Sequence, residues 1–473
     1  MDHKVFITQT KPAYPEFPFD DKDHSMVQAC RRLFGQWADD PDNPFELWLE
    51  PGNTVVLKPN WVMHTEEGNS NAPALLTNTA LIRHVIDCVA KGLKNQGRIV
   101  VGDAPLQSCD FERMVKFTRI DEVVELLRKQ YPDIELIFED WRLTTLETDE
   151  DHSPNADSVQ ASKEIDPNRF VLKDRGRASF LEDIADYADE FRVSCYKPSL
   201  MFPHHHRGTH RYCVTKRIFD ADFMINMPKM KTHMKAGLTG ALKNLIGING
   251  HKEFLPHYIK GSYFGGGDSY CNGNNFRDKY DNLYDDFWEH FLEAPQSKKT
   301  WQWQKMRALS HLSHAAGASK MAPGGWSGND TIWRTTLDLN HVLYFEPDSP
   351  KKILNIVDGI IAGEGKGPLS PKPKEIGVLV AGDNPAYVDA VLAQLMGYNI
   401  SRIPSVYHGI YNRKSKLAGP FLEEWDVTWV DAANQAKQID FYDLPNMDFD
   451  KPEYWRRAAR GRDAMPDSDG VPA

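Results

Sequence analysis

The chain has 473 residues, 41% of them hydrophobic and 26% charged, with a formal net charge of −11. This is ordinary globular composition, long enough for two or three domains or for one large domain carrying insertions. The acidic balance excludes a general nucleic-acid binder, because polyanion binding rests on an excess of lysine and arginine.

The first residues, Met1 to Ile7, lack the basic and apolar regions of a secretory signal, and no window approaches 18 consecutive apolar residues, so no membrane-spanning helix is expected. The six cysteines (Cys30, Cys88, Cys109, Cys195, Cys213 and Cys271) are scattered, without the close spacing of a zinc or cluster motif. Such thiols point to a reducing, cytoplasmic setting.

Along the chain, Thr54 to Val62 reads as a buried strand broken at Pro59. Ile82, Val85, Ile86, Val89 and Leu93 recur at helical spacing and predict a helix over 75–93. A strand over Arg98–Asp103, a helix over Glu122–Lys129 and a strand over Ile134–Glu139 follow. This rhythm predicts an α/β fold, a three-layer sandwich with a mostly parallel sheet. The first part of that core is expected over 1–143. A polar, acidic insertion follows over 144–190, then more core over 191–260, with a buried strand over Phe223–Met227.

Residues 223–252 hold no acidic residue, where a stretch of that length at the chain's own composition carries about four carboxylates. The stretch contains Lys229, Lys231, Lys235, Lys243 and Lys252, with His233 and His251. It reads as a strand, a basic loop over 228–235 and a helix through Ile246. That helix would put Lys235, Thr239 and Lys243 on one face, and its N-terminus would cradle an anion. Further along, residues 261–328 read as a second irregular insertion, rich in Gly and aromatics. The core resumes over 329–430, with a helix over 331–343, strands over 352–357 and 376–381, and a helix over 385–396. A tail is expected over 431–473.

Ligands of open α/β sheets lie beyond the carboxyl ends of strands. Lys58, Asn60 and Asp103 stand at such ends. Asp358 does too, ahead of a glycine-rich segment over 359–367 that reads as a flexible loop. Arg334, near a helix start, is a candidate clamp for carboxylate or phosphate. The spacing of His204, His206 and His210 suits a metal site, but the cluster has no nearby Cys, Asp or Glu in sequence and two flanking arginines, so a solvated loop or a second anion patch is the better reading.

Several pieces occur in one order: Val55 to Asn60, Arg98 to Asp103, Ile225 to His233 with Leu238 to Gly247, Ile356 to Ile360, and Gly382 to Ala390. Together they resemble the domain-of-unknown-function family 362. The resemblance implies an α/β core and points to Lys58, Asn60, Asp103, Lys229, Lys231, His233, Lys243 and Asn244. Many relatives carry a ferredoxin-like module with closely spaced cysteines. This sequence has no such run, which argues against an iron–sulfur cluster.

These observations lead to one functional expectation: a cytoplasmic enzyme acting on a phosphorylated or carboxylated small molecule, its reaction undefined. Lys231, His233 and Lys243 are the catalytic candidates. Lys58, Asn60, Asp103, Asn226, Lys229, Asn244 and Arg334 are the binding candidates, and Asp103 and Asp358 are candidates for Mg²⁺. The alternatives are a redox accessory linked to an iron–sulfur partner and a non-catalytic scaffold. A protein partner would dock through 261–328, where Tyr263, Phe264, Trp301, Trp303 and Trp326 supply aromatic anchors.

Overall fold

The structure is a computed structural model that describes residues 3–66, 68–145, 167–291, 293–419 and 421–458. Among them one mixed sheet of eleven strands runs through the molecule. The strands are β1 (Val5–Gln9), β2 (Thr54–Pro59), β3 (Gly97–Asp103), β4 (Ile134–Asp140), β5 (Phe223–Met227), β6 (Lys229–His233), β7 (Gly237–Thr239), β8 (Lys352–Lys366), β9 (Ser370–Gly382), β10 (Asp426–Val430) and β11 (Ala436–Asp440). Their order is β11-β10-β1-β9-β8-β5-β2-β3-β4, with β6 added beside β8 and β7 beside β6. The run β8-β5-β2-β3-β4 is parallel throughout.

Alternation of side chains along each strand creates the layers. Val55 and Leu57 of β2, Ile99 and Val101 of β3, and Ile225 of β5 enter one core. There they meet helices α1 (Ser25–Phe34), α2 (Thr79–Gly92) and α3 (Ile120–Gln130). Val56, Val100 and Met224, the intervening residues, enter a second core. Leu339, Val342 and Leu343 cover that face from a later helix, Ile332–Phe345. Helix Pro385–Leu395 covers the same side over β1, β8 and β9. The chain is therefore an α/β sandwich of helix, sheet and helix.

The basic segment departs from its predicted form. Residues 229–233 are a strand, not a loop, because the fifteen-residue β8 is long enough to pair with β5 and then with β6. Pro228 has no N–H to contribute, and its carbonyl still accepts from Asp358 N–H at 2.9 Å. The glycine-rich 359–367 segment is likewise paired strand over most of its length, not a flexible loop. The predicted helix through Ile246 shrinks to α4 (Ala241–Asn244) followed by a 3₁₀ turn. Gly237, at φ +81°, instead turns the chain into β7. Lys235, Thr239 and Lys243 therefore do not share a helical face.

The acidic insertion predicted over 144–190 falls partly outside the described residues. Its described residues, 144–145 and 167–190, include Phe170–Asp174, which pairs antiparallel with Thr209–Thr215. Within 261–328, α5 (Asn275–Glu289) and α6 (Gln296–Ala315) pack together around Phe287, Phe291 and Met306. The expected tail contributes β11 and the buried Trp455, and its end lies outside the described residues. No helix among the described residues is long and apolar enough to cross a membrane.

Candidate functional site

A cavity of about 470 Å³ lies beyond the carboxyl ends of β2 and β3. Its walls are Asn60 to Met63 after β2, Asp103 to Ser108 at the end of β3, and Lys231 and His233 on β6. Thr239, Lys243 and Asn244 follow from β7 and α4, and Val193 to Tyr196, His257, Trp288 and Leu369 close the other sides.

The wall holds four lysines, Lys231, Lys235, Lys243 and Lys252, and two histidines, His233 and His257. Among the described residues its only carboxylate is Asp103. That carboxylate is already committed: Oδ1 lies 2.8 Å from Nζ of Lys58, a fifth lysine buried behind the wall, and Oδ2 accepts from Trp61 N–H at 2.7 Å. Lys58 also donates to Pro59 O and to Asn244 Oδ1. Asn60 donates to the same Asn244 oxygen at 2.9 Å, so Asn60, Asn244 and Lys58 lock one another.

The lysines differ in what holds them. Lys231 Nζ donates to the Leu75 carbonyl at 2.6 Å, Lys235 to Ser194 Oγ at 2.8 Å, and Lys252 to the Ile246 and Asn249 carbonyls. Lys243 is 8% exposed and has neither a hydrogen-bond partner nor an ion-pair partner among the described residues. Burial lowers the Lys231, Lys243 and Lys252 ammonium groups to about 7 and Lys235 to about 8. Neighbouring lysines push Lys231 and Lys243 the same way.

Both histidines are kept neutral, chiefly by burial and next by Lys243. His233 Nδ1 accepts from the Lys235 and Ala236 N–H groups, which leaves its proton on Nε2. His257 has the opposite tautomer, with Nδ1 donating to the Leu255 carbonyl at 2.6 Å and Nε2 left as an acceptor. The cavity thus offers one imidazole donor and one imidazole acceptor.

The structure brings Lys231, His233, Lys243, Asn60, Asp103 and Asn244 onto one wall, with Lys58 directly behind it. It separates others from that wall. Lys229 pairs with Asp358 at 3.0 Å, both fully buried, and Tyr14 hydroxyl contacts both. The two are register neighbours on β6 and β8, so the pair is part of the sheet and not of the cavity. Asn226 joins Asn355, Asn244 and the Ala241 carbonyl behind the site. Arg334 is directed to Asp330, Asp183 and the Phe180 carbonyl. Asp103 and Asp358 do not converge on a cation position, since each already faces a lysine ammonium. No three His, Cys, Asp or Glu among the described residues form a metal cluster. His205 and His210 are instead held by the Phe254 carbonyl and Glu182.

The helix-terminus cradle is also corrected. The N–H groups of Ala241 and Leu242 donate to Asp389 at 2.6 and 3.0 Å, so a buried carboxylate already occupies the start of α4. Positive charge at the site comes from side chains. His257 and Trp288 were missed because they lie on segments outside the α/β pattern, and Leu369 because it sits in the turn between β8 and β9, with no local signal of where any of them docks.

Among solved structures, a crystal structure of a protein from Thermotoga maritima aligns over 70% of this chain and 50% of its own, with 9% identity and a TM-score of 0.29. A curated protein, the thylakoid-associated protein sll1697 of Synechocystis, is 22% identical over 238 residues. The chain spans about half the length of that relative, and the match covers 50% of each. The model of the domain of unknown function DUF362 matches residues 156–394, half of the chain and the span that contains β5 to β9, Lys231, His233 and Lys243. On that match, and with the ordered motifs from Val55 to Ala390, the chain belongs to the DUF362 family.

Proposed function

We propose that the chain is a cytoplasmic enzyme that binds a phosphorylated or carboxylated small molecule in the cavity beyond β2 and β3. One observation carries the reading: among the described residues four lysines line the cavity, Asp103 is its only carboxylate and is neutralised from behind by Lys58, and Lys243 has no hydrogen-bond or ion-pair partner. An unpaired buried ammonium is costly, and either proton loss or a bound anion relieves it. A ligand anion between Lys243, Lys252 and Lys231, none of which has a carboxylate partner among the described residues, would compensate three charges at once.

The same groups are suited to proton transfer near neutral pH. Lys231 and Lys243, both near 7, can hold or release a proton there, and His233 Nε2–H is a fixed donor. Charge developing on a substrate would meet preorganised cations in a site largely shielded from water. The cytoplasmic setting is supported by six cysteines scattered along the sequence without close spacing.

The test is native mass spectrometry of freshly purified protein, followed by calorimetric titration with inorganic phosphate and succinate. A co-purified anion, or binding that is lost in Lys243→Met, supports the reading. No anion in the spectrum and no heat from either titrant sinks it.

A second reading, a protein partner at 261–328, rests on Trp301 and Phe264, which are 56% and 74% exposed. Trp326 does not belong to that surface; it is buried and donates to the Asp268 carbonyl. Retention of partner binding in Trp301→Ala and Phe264→Ala would remove this reading.

A further inference from the structure

The cavity's charge is concentrated in lysines and histidines, but most of its remaining wall is hydrocarbon. Val62 and Met63 follow β2, Leu106 follows β3, Val193 comes from the middle of the chain, Trp288 from α5, and Leu369 from the β8–β9 turn. These residues come from separate segments and converge on the same space as the lysines. A site for a bare inorganic anion does not need them. Its volume of about 470 Å³ is some fifteen times the roughly 30 Å³ that one water occupies in the liquid, so a phosphate or carboxylate group fills only a minor part. Small-molecule sites that are mostly apolar with a few converging polar groups hold ligands of the same mixed character.

We infer that the ligand is an amphipathic anion: a phosphate or carboxylate head held by Lys243, Lys252 and Lys231, joined to a hydrocarbon or aromatic body that packs on Val62, Met63, Leu106 and Trp288. The inference rests on the anion reading above and narrows it to a substrate class. Short polar metabolites leave the apolar wall wet. An alkyl or aryl body excludes that water, and exclusion strengthens the lysine contacts by lowering the local dielectric. Asn60 and the two imidazoles, which offer one donor and one acceptor between them, line the same cavity and would read a polar substituent of the ligand.

The test is calorimetric titration of the full chain at pH 6.5 with inorganic phosphate, butyl phosphate, hexyl phosphate and 1-hexanol. Acetate, butanoate and hexanoate form a parallel series. The expected result is a rise in affinity of about fourfold per added methylene within each anionic series, with 1-hexanol far weaker than hexyl phosphate. Trp288→Ala and Leu106→Ser, made separately, should flatten that rise. Equal affinity for inorganic, butyl and hexyl phosphate, repeated in the carboxylate series, overturns the amphipathic inference and leaves the anion reading standing. No binding of any anion removes the anion reading and the inference with it. Equal binding of 1-hexanol and hexyl phosphate also overturns the inference, because the head would then contribute nothing.

Discussion

Lys58 Nζ and Asp103 Oδ1 lie 2.8 Å apart in the wall between β2 and β3, both almost wholly shielded from water. Gly247 is packed against them: a Cβ there would stand 2.6 Å from Lys58 Nζ and closer still to Asp103 Oδ1. The pair therefore requires glycine at that position, and it explains why Asp103, the one carboxylate of the cavity wall among the described residues, does not cancel the lysines. Asp103→Asn leaves a buried ammonium uncompensated, which costs about 3–5 kcal/mol. Gly247→Ala should be destabilising through the same pair. Denaturant unfolding checks both, and an unchanged midpoint in Gly247→Ala would show that the pair tolerates displacement.

Lys243 is the reverse case, a largely buried cation with no hydrogen-bond or ion-pair partner among the described residues. Lys243→Met removes an unpaired charge at similar side-chain length and should hold or raise the midpoint of thermal unfolding without ligand. The same change should weaken anion binding about 10- to 100-fold, the range for a hydrogen bond to a charged group. Calorimetry and thermal melts on one sample separate the two effects. A melt that falls with no change in binding would make Lys243 a structural residue.

Proton linkage gives a third expectation with opposite signs for binding and stability. In the anion-free protein Lys231, Lys243 and Lys252 titrate near 7, below the ordinary lysine value, so between pH 7 and about 10 the unfolded chain binds more protons than the folded one. From these groups, stability should rise as pH increases from 7 toward 9.5 and be lost as pH falls back through 7. Anion binding favours the charged lysines, so affinity should be flat below pH 6 and decline above 7, with proton uptake on binding at pH 8. Calorimetry in buffers of different ionisation enthalpy measures that uptake. Proton release at pH 8 would contradict the assignment.

The parallel half of the sheet was legible because Val55 to Leu57, Ile99 to Val101 and Phe223 to Met227 are short apolar runs, as strands buried on both faces require. Strand β6 was not, because Lys-Met-Lys-Thr-His after a proline reads as a loop until the length of β8 is known. Much of the cationic wall was legible from the missing carboxylates of 223–252. The partner of each lysine was not. Lys229 meets Asp358 through a register set more than a hundred residues away, while Lys243 meets no acid among the described residues, and local sequence treats the two alike. His257 and Trp288 reach the cavity from segments without regular patterning, where only tertiary packing decides position.

Asp389 closes the account of how Lys243 is held. Its carboxylate, raised by burial to about 7, accepts the Ala241 and Leu242 N–H groups and fixes the start of α4 two residues ahead of Lys243. Asp389→Ala leaves two buried N–H donors without partners, at about 1–3 kcal/mol for the group lost. It should also loosen the register that aims Lys243, so anion affinity should fall although Asp389 does not line the cavity. Asp389→Asn keeps one acceptor oxygen and should recover part of the stability. Unfolding midpoints and calorimetric affinities for phosphate in the two variants distinguish positioning from bulk stability. If Asp389→Ala lowers the midpoint and leaves affinity unchanged, α4 holds Lys243 without its cap.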